Sequence, residues 1–262
     1  MTSIKLNRTE QSVVWVTINR PDAMNAMNQD VMRDLTAAFC EISSDPSVRA
    51  VVLTGAGERA FCAGGDIKAG ADGHKSPYQM SPGETHPLVR LFKAVNDINV
   101  PIIARVNGHA LGGGFGLVCM ADMAIGSRNA KLGSPEVKIG IFPMVILAHM
   151  LRLVPLRSLY EMAITGRVWS ADDAFSNGIF NSVVDTTKEL DAAVDNLLTQ
   201  ILANSQTAVR VGIKALKSME YMDFEERLSY AQLVIDSLSK TEDAKEGMAA
   251  FTEKRKPIWP GN

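Results

Sequence analysis

Two β-branched runs, "VVWVTINRP" (13–21) and "VRAVVLTGAG" (48–57), are each closed by turn residues, and both predict strands. Between them Val31, Met32, Leu35, Phe39 and Ile42 recur at spacings of three and four in an otherwise polar stretch, which predicts an amphipathic helix. Strand, helix, strand implies a βαβ unit and a parallel sheet. "PIIARVNG" (101–108) reads as a third buried strand, preceded by the helix-like "PLVRLFKAVNDI" (87–98). The stretch 68–86 is the longest polar loop, and long loops in compact domains are often functional. After about residue 143 the pattern turns helical through "MVILAHMLRLV", "RSLYEMAITG", "SADDAFSNG" and "DAAVDNLLTQILAN", then a charged amphipathic tail. Ser170 is a natural N-cap for the third of these and Gly178 a natural stop. The outline is an α/β region over 1–200 and a helical region over 201–262.

Composition narrows the class without naming a function. A chain of 262 residues with 46% hydrophobic and 21% charged residues is that of an ordinary globular protein. Its 27 basic and 29 acidic residues leave a net charge of -2, so neither nucleic acid nor an anionic membrane is an expected partner. Every apolar run is broken before the ~18 residues that a membrane span needs. The polar N-terminus does not read as a signal peptide, and Cys40, Cys62 and Cys119 show no metal-ligand spacing. Together these lead us to expect a cytoplasmic protein without a metal site.

The chemistry has to come from glycine turns. "TGAGERA" places Gly55, Gly57 and Ala60 after a strand in a dinucleotide-like spacing. The next segment, "FCAGGDIKAGADG", is too glycine-rich for the long helix that fingerprint requires, and no acidic strand end lies about 20 residues on. Two other turns, "FCAGGDIK" (61–68) and "HALGGGFG" (109–116), free the backbone at helix starts. N–H groups exposed there can converge on one carbonyl oxygen and stabilise an oxyanion. About 20 residues after the second turn, "GSPEVKIGIFP" presents Glu136, and one carboxylate beside such a hole suffices to move a proton next to a carbonyl. Taken alone, Glu136 could equally be an exposed loop carboxylate.

"NRPDAMNAM" (19–27), "AFCAGGDIK" (60–68), "GHALGGGFGL" (108–117), "GSPEVKIGIFP" (133–143) and "FTEKRKPIW" (251–259) stand in the order found in the crotonase superfamily. By these five motifs, spread over nearly the whole chain, it resembles an enoyl-CoA hydratase/isomerase. The resemblance implies a ββα spiral core with a C-terminal helical trimerisation region, assembled as a trimer or a hexamer. It implies an acyl-CoA substrate and no further cofactor. It places the oxyanion hole at the backbone N–H groups of Ala63 and Gly113, with Glu136 as acid/base. CoA contacts are implied for Ala23, Met24, Asp66, Ile67 and Lys68, and for Phe251 and Lys254 reaching a neighbouring subunit.

Two departures bear on the reaction. Hydratases of this family use two glutamates, and the position of the first is Gly116 here. After Pro143, where relatives have a glycine-rich turn, this chain has Met144, Val145, Ile146 and Leu147. Gly116 and Met144 are thus expected to mark a reshaped acyl pocket. One remaining carboxylate favours double-bond isomerisation, with hydration despite the missing glutamate as the alternative. Further readings are a thioester hydrolase or decarboxylase, and a non-catalytic acyl-CoA-binding or RNA-binding scaffold. His109, His86 and Glu84 are read as packed or surface residues before substitute acids, and Asp122 as structural.

Overall fold

The computed structural model describes residues 3–67 and 80–262; Lys68 and most of the 68–86 loop lie outside them. Strands β1 (Ile4–Arg8) and β2 (Val13–Ile18) pair antiparallel. The hydrophobic pattern does not predict β1, because four of its five residues are exposed and only Ile4 is buried. An edge strand of that kind carries little hydrophobic signal.

Helix α1 (Gln29–Ser44) comes next in the chain, capped by the Asn28 side chain, which accepts the Val31 N–H. Its buried face is Val31, Met32, Leu35, Ala38, Phe39 and Ile42, the predicted spacing with one alanine added. Full burial of each large side chain contributes about 1.5–3 kcal/mol. Strand β3 (Ala50–Gly55) then runs parallel to β2 with all six residues buried, completing the expected βαβ unit.

From there the chain repeats one manoeuvre. β4 (Ala60–Cys62) and helix α2 (Pro87–Asn96) precede β5 (Ile102–Val106), β6 (His109–Leu111) and helix α3 (Gly113–Met120). β7 (Met123–Ser127) and β8 (Lys131–Gly133) come next. β3, β5 and β7 enter one sheet, while β4, β6 and β8 enter another. A single winding of strand pairs therefore builds two sheets, of order β1-β2-β3-β5-β7-β10 and β4-β6-β8-β9, with β9 at Val168–Ser170 and β10 at Ser182–Val184, as a ββα spiral should. The strands of three residues are too short to show periodicity, so the sequence pattern does not mark them.

A 3-10 turn (Pro135–Ile139) and helices α4 (Leu147–Leu153) and α5 (Leu156–Thr165) lead to β9 (Val168–Ser170). Helix α6 (Ala171–Ser176) starts on Ser170 with the expected cap, reinforced by Asp173 reaching back to the Ser170 N–H. β10 (Ser182–Val184), α7 (Thr187–Leu202), α8 (Gln206–Met219), α9 (Phe224–Ser239) and α10 (Glu242–Thr252) complete the chain. The chain divides into two compact units, one ending at residue 195 that contains both sheets and one over 196–262 that includes residues 99–101.

Candidate active site

The site begins with the turn after β2. Met24 and Asn25 both adopt positive φ, 53° and 55°. The Asn25 side chain is fully buried, and its Nδ2 donates to the carbonyls of Ala56 (2.9 Å) and Ala60 (2.7 Å). Its Oδ1 accepts the Arg20 N–H. Arg20 in turn donates to the Ala26 carbonyl and pairs with Asp66 at 2.8 Å. These bonds latch "NRPDAMN" onto the "CAGGDI" turn.

That latch takes up the N–H expected as the first oxyanion donor. The Ala63 N–H, expected to face substrate, donates instead to the Met24 carbonyl at 3.0 Å. Two residues on, Gly65 is bridged to Met27 in parallel: the Met27 N–H meets the Gly64 carbonyl and the Asp66 N–H meets the Met27 carbonyl. Backbone direction alternates along such a bridge, so the Gly65 N–H points away from Met27. Gly65 itself lines a cavity. The repeated glycine in "CAGGD" is the sequence signal for this, visible only once the bridge is known.

The second expected donor, the Gly113 N–H, lies at the start of α3. Gly112 caps α3 at φ 51°, ψ −125°, a conformation open to glycine. A Cβ there would also lie 2.8 Å from Glu136 Oε1, so a side chain would displace the carboxylate. Gly114 is required by close packing, since a Cβ would come within 2.1 Å of the Cys62 carbonyl oxygen. Between them Gly113 opens the helix, and a first-turn N–H has no acceptor within its own helix. A Cβ on Gly64 would stand 3.5 Å from the Gly113 nitrogen, so the two glycine turns meet.

Glu136 sits in the 3-10 turn after β8, with Pro135 at its first position. It is 6% exposed, and the buried Ser134 hydroxyl donates to its Oε2 at 2.7 Å. Burial pushes its carboxyl above the ordinary range, and the Ser134 hydrogen bond only partly offsets this. A carboxyl raised in this way holds a proton more readily than an exposed one, as a group that takes and returns a proton must.

Glu136, Gly65 and Gly113 share this cavity of about 350 Å³, which has an apolar wall from Met27, Met32, Leu88 and the 141–146 segment. Met144 stands on it at 68% exposure. Gly116 does not form the wall where it was expected. A Cβ on it would lie 2.4 Å from Ile146 Cγ2 and 3.3 Å from Phe92 Cζ, and Ile146 is the lining residue. The two departures in the sequence are therefore one change, since the bulky residue after Pro143 fills the space a side chain at 116 would need.

The other expected site residues are more scattered. Ala23 and Met24 are half-buried in the first turn, Asp66 is held by Arg20, and Ile67 is exposed. Phe251 is 87% exposed in α10, and Lys254 lies just past that helix at φ 56°. Glu84 is exposed and accepts the Ser81 N–H, while the Asp122 carboxylate accepts the Ile102 N–H at 2.8 Å, a structural role. His86, by contrast, lines the cavity. Among the described residues, no group of three or more His, Cys, Asp or Glu side chains could hold a metal ion, and no helix is long and apolar enough to cross a membrane.

The chain is similar over nearly its whole length to known proteins. A family model described as enoyl-CoA hydratase/isomerase matches residues 8–262. The carnitinyl-CoA dehydratase of Proteus mirabilis (strain HI4320) is 38% identical over 264 residues, covering 97% of each chain. That of Salmonella agona (strain SL483) is 36% identical over 255 residues, covering 95% of each. A solved enoyl-CoA hydratase from Mycobacterium smegmatis superposes with a TM-score of 0.89 at 32% identity, covering 98% of both chains. One from Bacillus anthracis gives 0.90 at 29% identity, covering 99% of this chain and all of that one.

Proposed function

The chain belongs to the enoyl-CoA hydratase/isomerase family, and from that premise we propose that it moves a proton at the carbon beside a CoA-thioester carbonyl. The thioester oxygen is received by the Gly65 and Gly113 N–H groups. Glu136 removes the α-proton while those donors hold the enolate oxygen. Each donor of this kind is typically worth about 2.7–4 kcal/mol in the transition state. The observation that carries the reading is the Glu136 carboxylate, buried and pressed against Gly112 at the mouth of α3.

Two reactions can follow on one carboxylate. Returning the proton at C4 isomerises an enoyl-CoA, and the filled space at position 116 favours it, because no second carboxylate fits there. Removal or addition of water is the second reading, supported by relatives that are carnitinyl-CoA dehydratases. Purified protein given a 3-enoyl-CoA and, separately, a 2-enoyl-CoA decides between them. Conversion of the first to the conjugated isomer supports isomerisation, and mass gain of one water on the second supports hydration. Hydrolysis of the thioester in both would support neither.

The CoA moiety is proposed to lie along Ala23, Met24, Asp66, Ile67 and Lys68, with Phe251 and Lys254 covering that of a neighbouring subunit. The 201–262 region is proposed as the trimerisation surface. α9 buries no residue of its own and exposes Phe224, Leu228, Leu233 and Ile235, an apolar surface that assembly would remove from water. Sedimentation equilibrium tests this, and a monomer at micromolar concentration would refute it.

A further inference from the structure

The cavity that holds Glu136, Gly65 and Gly113 has a neighbour. A second hollow, of about 440 Å³, lies between α1 and the start of α2 and takes its polar lining from Gln29, Asp30, Arg33, Thr36 and Arg90. Among the described residues, Met32 is common to the two linings. Its backbone is spent in the first turn of α1, where its N–H donates to the Asn28 carbonyl at 3.2 Å and its carbonyl accepts the Thr36 hydroxyl at 2.7 Å. The residue is 2% exposed, so its side chain stands between the two spaces and not out in solvent.

The start of α2 divides the same spaces. Leu88 lines the first cavity, while Pro87 and Arg90 line the second. That part of the partition is a helix start with a proline in its first turn, and its fixed backbone yields little. Met32 is the part made by an unbranched, adaptable side chain, and one substitution can remove it.

An acyl chain whose carbonyl is held at Gly65 and Gly113 runs past Met27, Leu88 and the 141–146 segment. It has about 350 Å³ in which to do so, near the small end of ligand-sized cavities. The hollow behind Met32 is larger, and Ala37, Pro87 and the apolar stems of its arginines could take further methylenes. We propose that Met32 is the wall at which the acyl chain ends, so that it restricts this protein to short-chain acyl-CoA. The inference rests on reading the cavity as the acyl site and adds the class of acyl group that it takes.

Binding and proton exchange are read separately on the full chain. Calorimetry gives the affinities of butanoyl-, hexanoyl-, octanoyl- and decanoyl-CoA, and deuterium uptake from D2O at their α-carbons reads Glu136. In wild type the affinity should stop rising with chain length before decanoyl-CoA. In Met32→Ala the ratio of decanoyl to butanoyl affinity should rise at least about tenfold, because each methylene taken out of water is worth about fourfold and two suffice. Met32→Val is a smaller truncation that spares the fold should Met32→Ala lose it, and it should move the ratio the same way by less.

Thr36 lies four residues on along the same helix face, and Thr36→Leu puts a larger side chain into the second hollow. Added to Met32→Ala it should bring the ratio back toward wild type, and alone it should leave the ratio unchanged. The proposal is overturned by a wild type whose affinity climbs steadily through decanoyl-CoA, or by an unchanged ratio in the Met32 variants. A widened range that survives Thr36→Leu overturns it as well. Affinities that follow the expected pattern without any α-proton exchange would remove the Glu136 reading and leave the Met32 wall standing.

Discussion

Two carboxylates are buried among the described residues, and their surroundings push them in opposite directions. Glu136, on the 3-10 turn after β8, receives one side-chain hydrogen bond, from Ser134, and burial wins, so its carboxyl lies above the ordinary range. Asp243, in the first turn of α10, is 2% exposed, and burial pushes it up as well. There, however, the Ser205 hydroxyl, the Gly261 N–H and Thr207 all donate to it, and they hold it below the ordinary range. Burial alone does not make a proton-transfer group. The number of donors left off it does. Asp243 is satisfied so that the loops at residues 205 and 261 are pinned to one helix, whereas Glu136 is left under-satisfied and faces a cavity.

The strongest way to break this contrast is Glu136→Gln. It keeps the shape and the Ser134 contact but cannot take a proton, so turnover should fall by about 10²–10⁴-fold in a steady-state assay. Asp243→Asn should instead leave turnover per folded molecule within a fewfold of wild type. Turnover retained by Glu136→Gln would end the assignment.

Asp243→Asn should show its effect in stability. Hydrogen bonds to a charged group contribute about 1.5–3 kcal/mol each, and replacing the carboxylate weakens several at once. A drop of about 2 kcal/mol in urea unfolding is the expected outcome. Because the Asp243 carboxyl is held down in the folded state, its contribution is full above the unfolded value of about 4 and is lost as pH falls through the folded one. The stability difference between wild type and Asp243→Asn should therefore vanish in strong acid. A difference independent of pH would mean that packing, not charge, was removed.

Position 116 extends the contrast to a place where no carboxylate can stand. Gly116→Ala puts a methyl against Ile146 and should cost about 1–3 kcal/mol as overpacking. Combining it with Ile146→Ala, which removes the Cγ2 that a methyl at 116 would meet, should recover part of that loss. Additive losses in the double variant would show that the two positions are not coupled.

How far the sequence is legible depends on what each feature needs. α1 and α2 are readable because five or more apolar residues recur on one face, a signal carried within the segment. Glu136 and the Gly113 turn are readable because they sit in long ordered motifs. Ala63 is not legible because a backbone donor has no side-chain signature, and only the folded chain shows its N–H bonded to the Met24 carbonyl. Ile146 filling the space at Gly116 joins residues 30 positions apart, a relation that exists only after the chain is folded.

The raised carboxyl of Glu136 has a stability signature of its own. A group held above its unfolded value is stabilising when protonated, and that advantage is lost as pH rises through the folded value. Wherever Glu136 is ionised, its buried charge is thus a burden on the fold. Glu136→Gln should unfold slightly later than wild type at pH 8, by a few tenths to about 1 kcal/mol, the usual scale of a stability–activity trade-off. The gain should shrink toward zero below about pH 4, where wild type is itself protonated. Ser134→Ala isolates the one side-chain donor. Without it the carboxyl is pushed further up, so the acidic limb of the rate profile should move to higher pH while the maximal rate changes little. A limb that stays in place would mean that the Ser134 hydroxyl does not face the ionised form, and that burial alone sets how tightly Glu136 holds its proton.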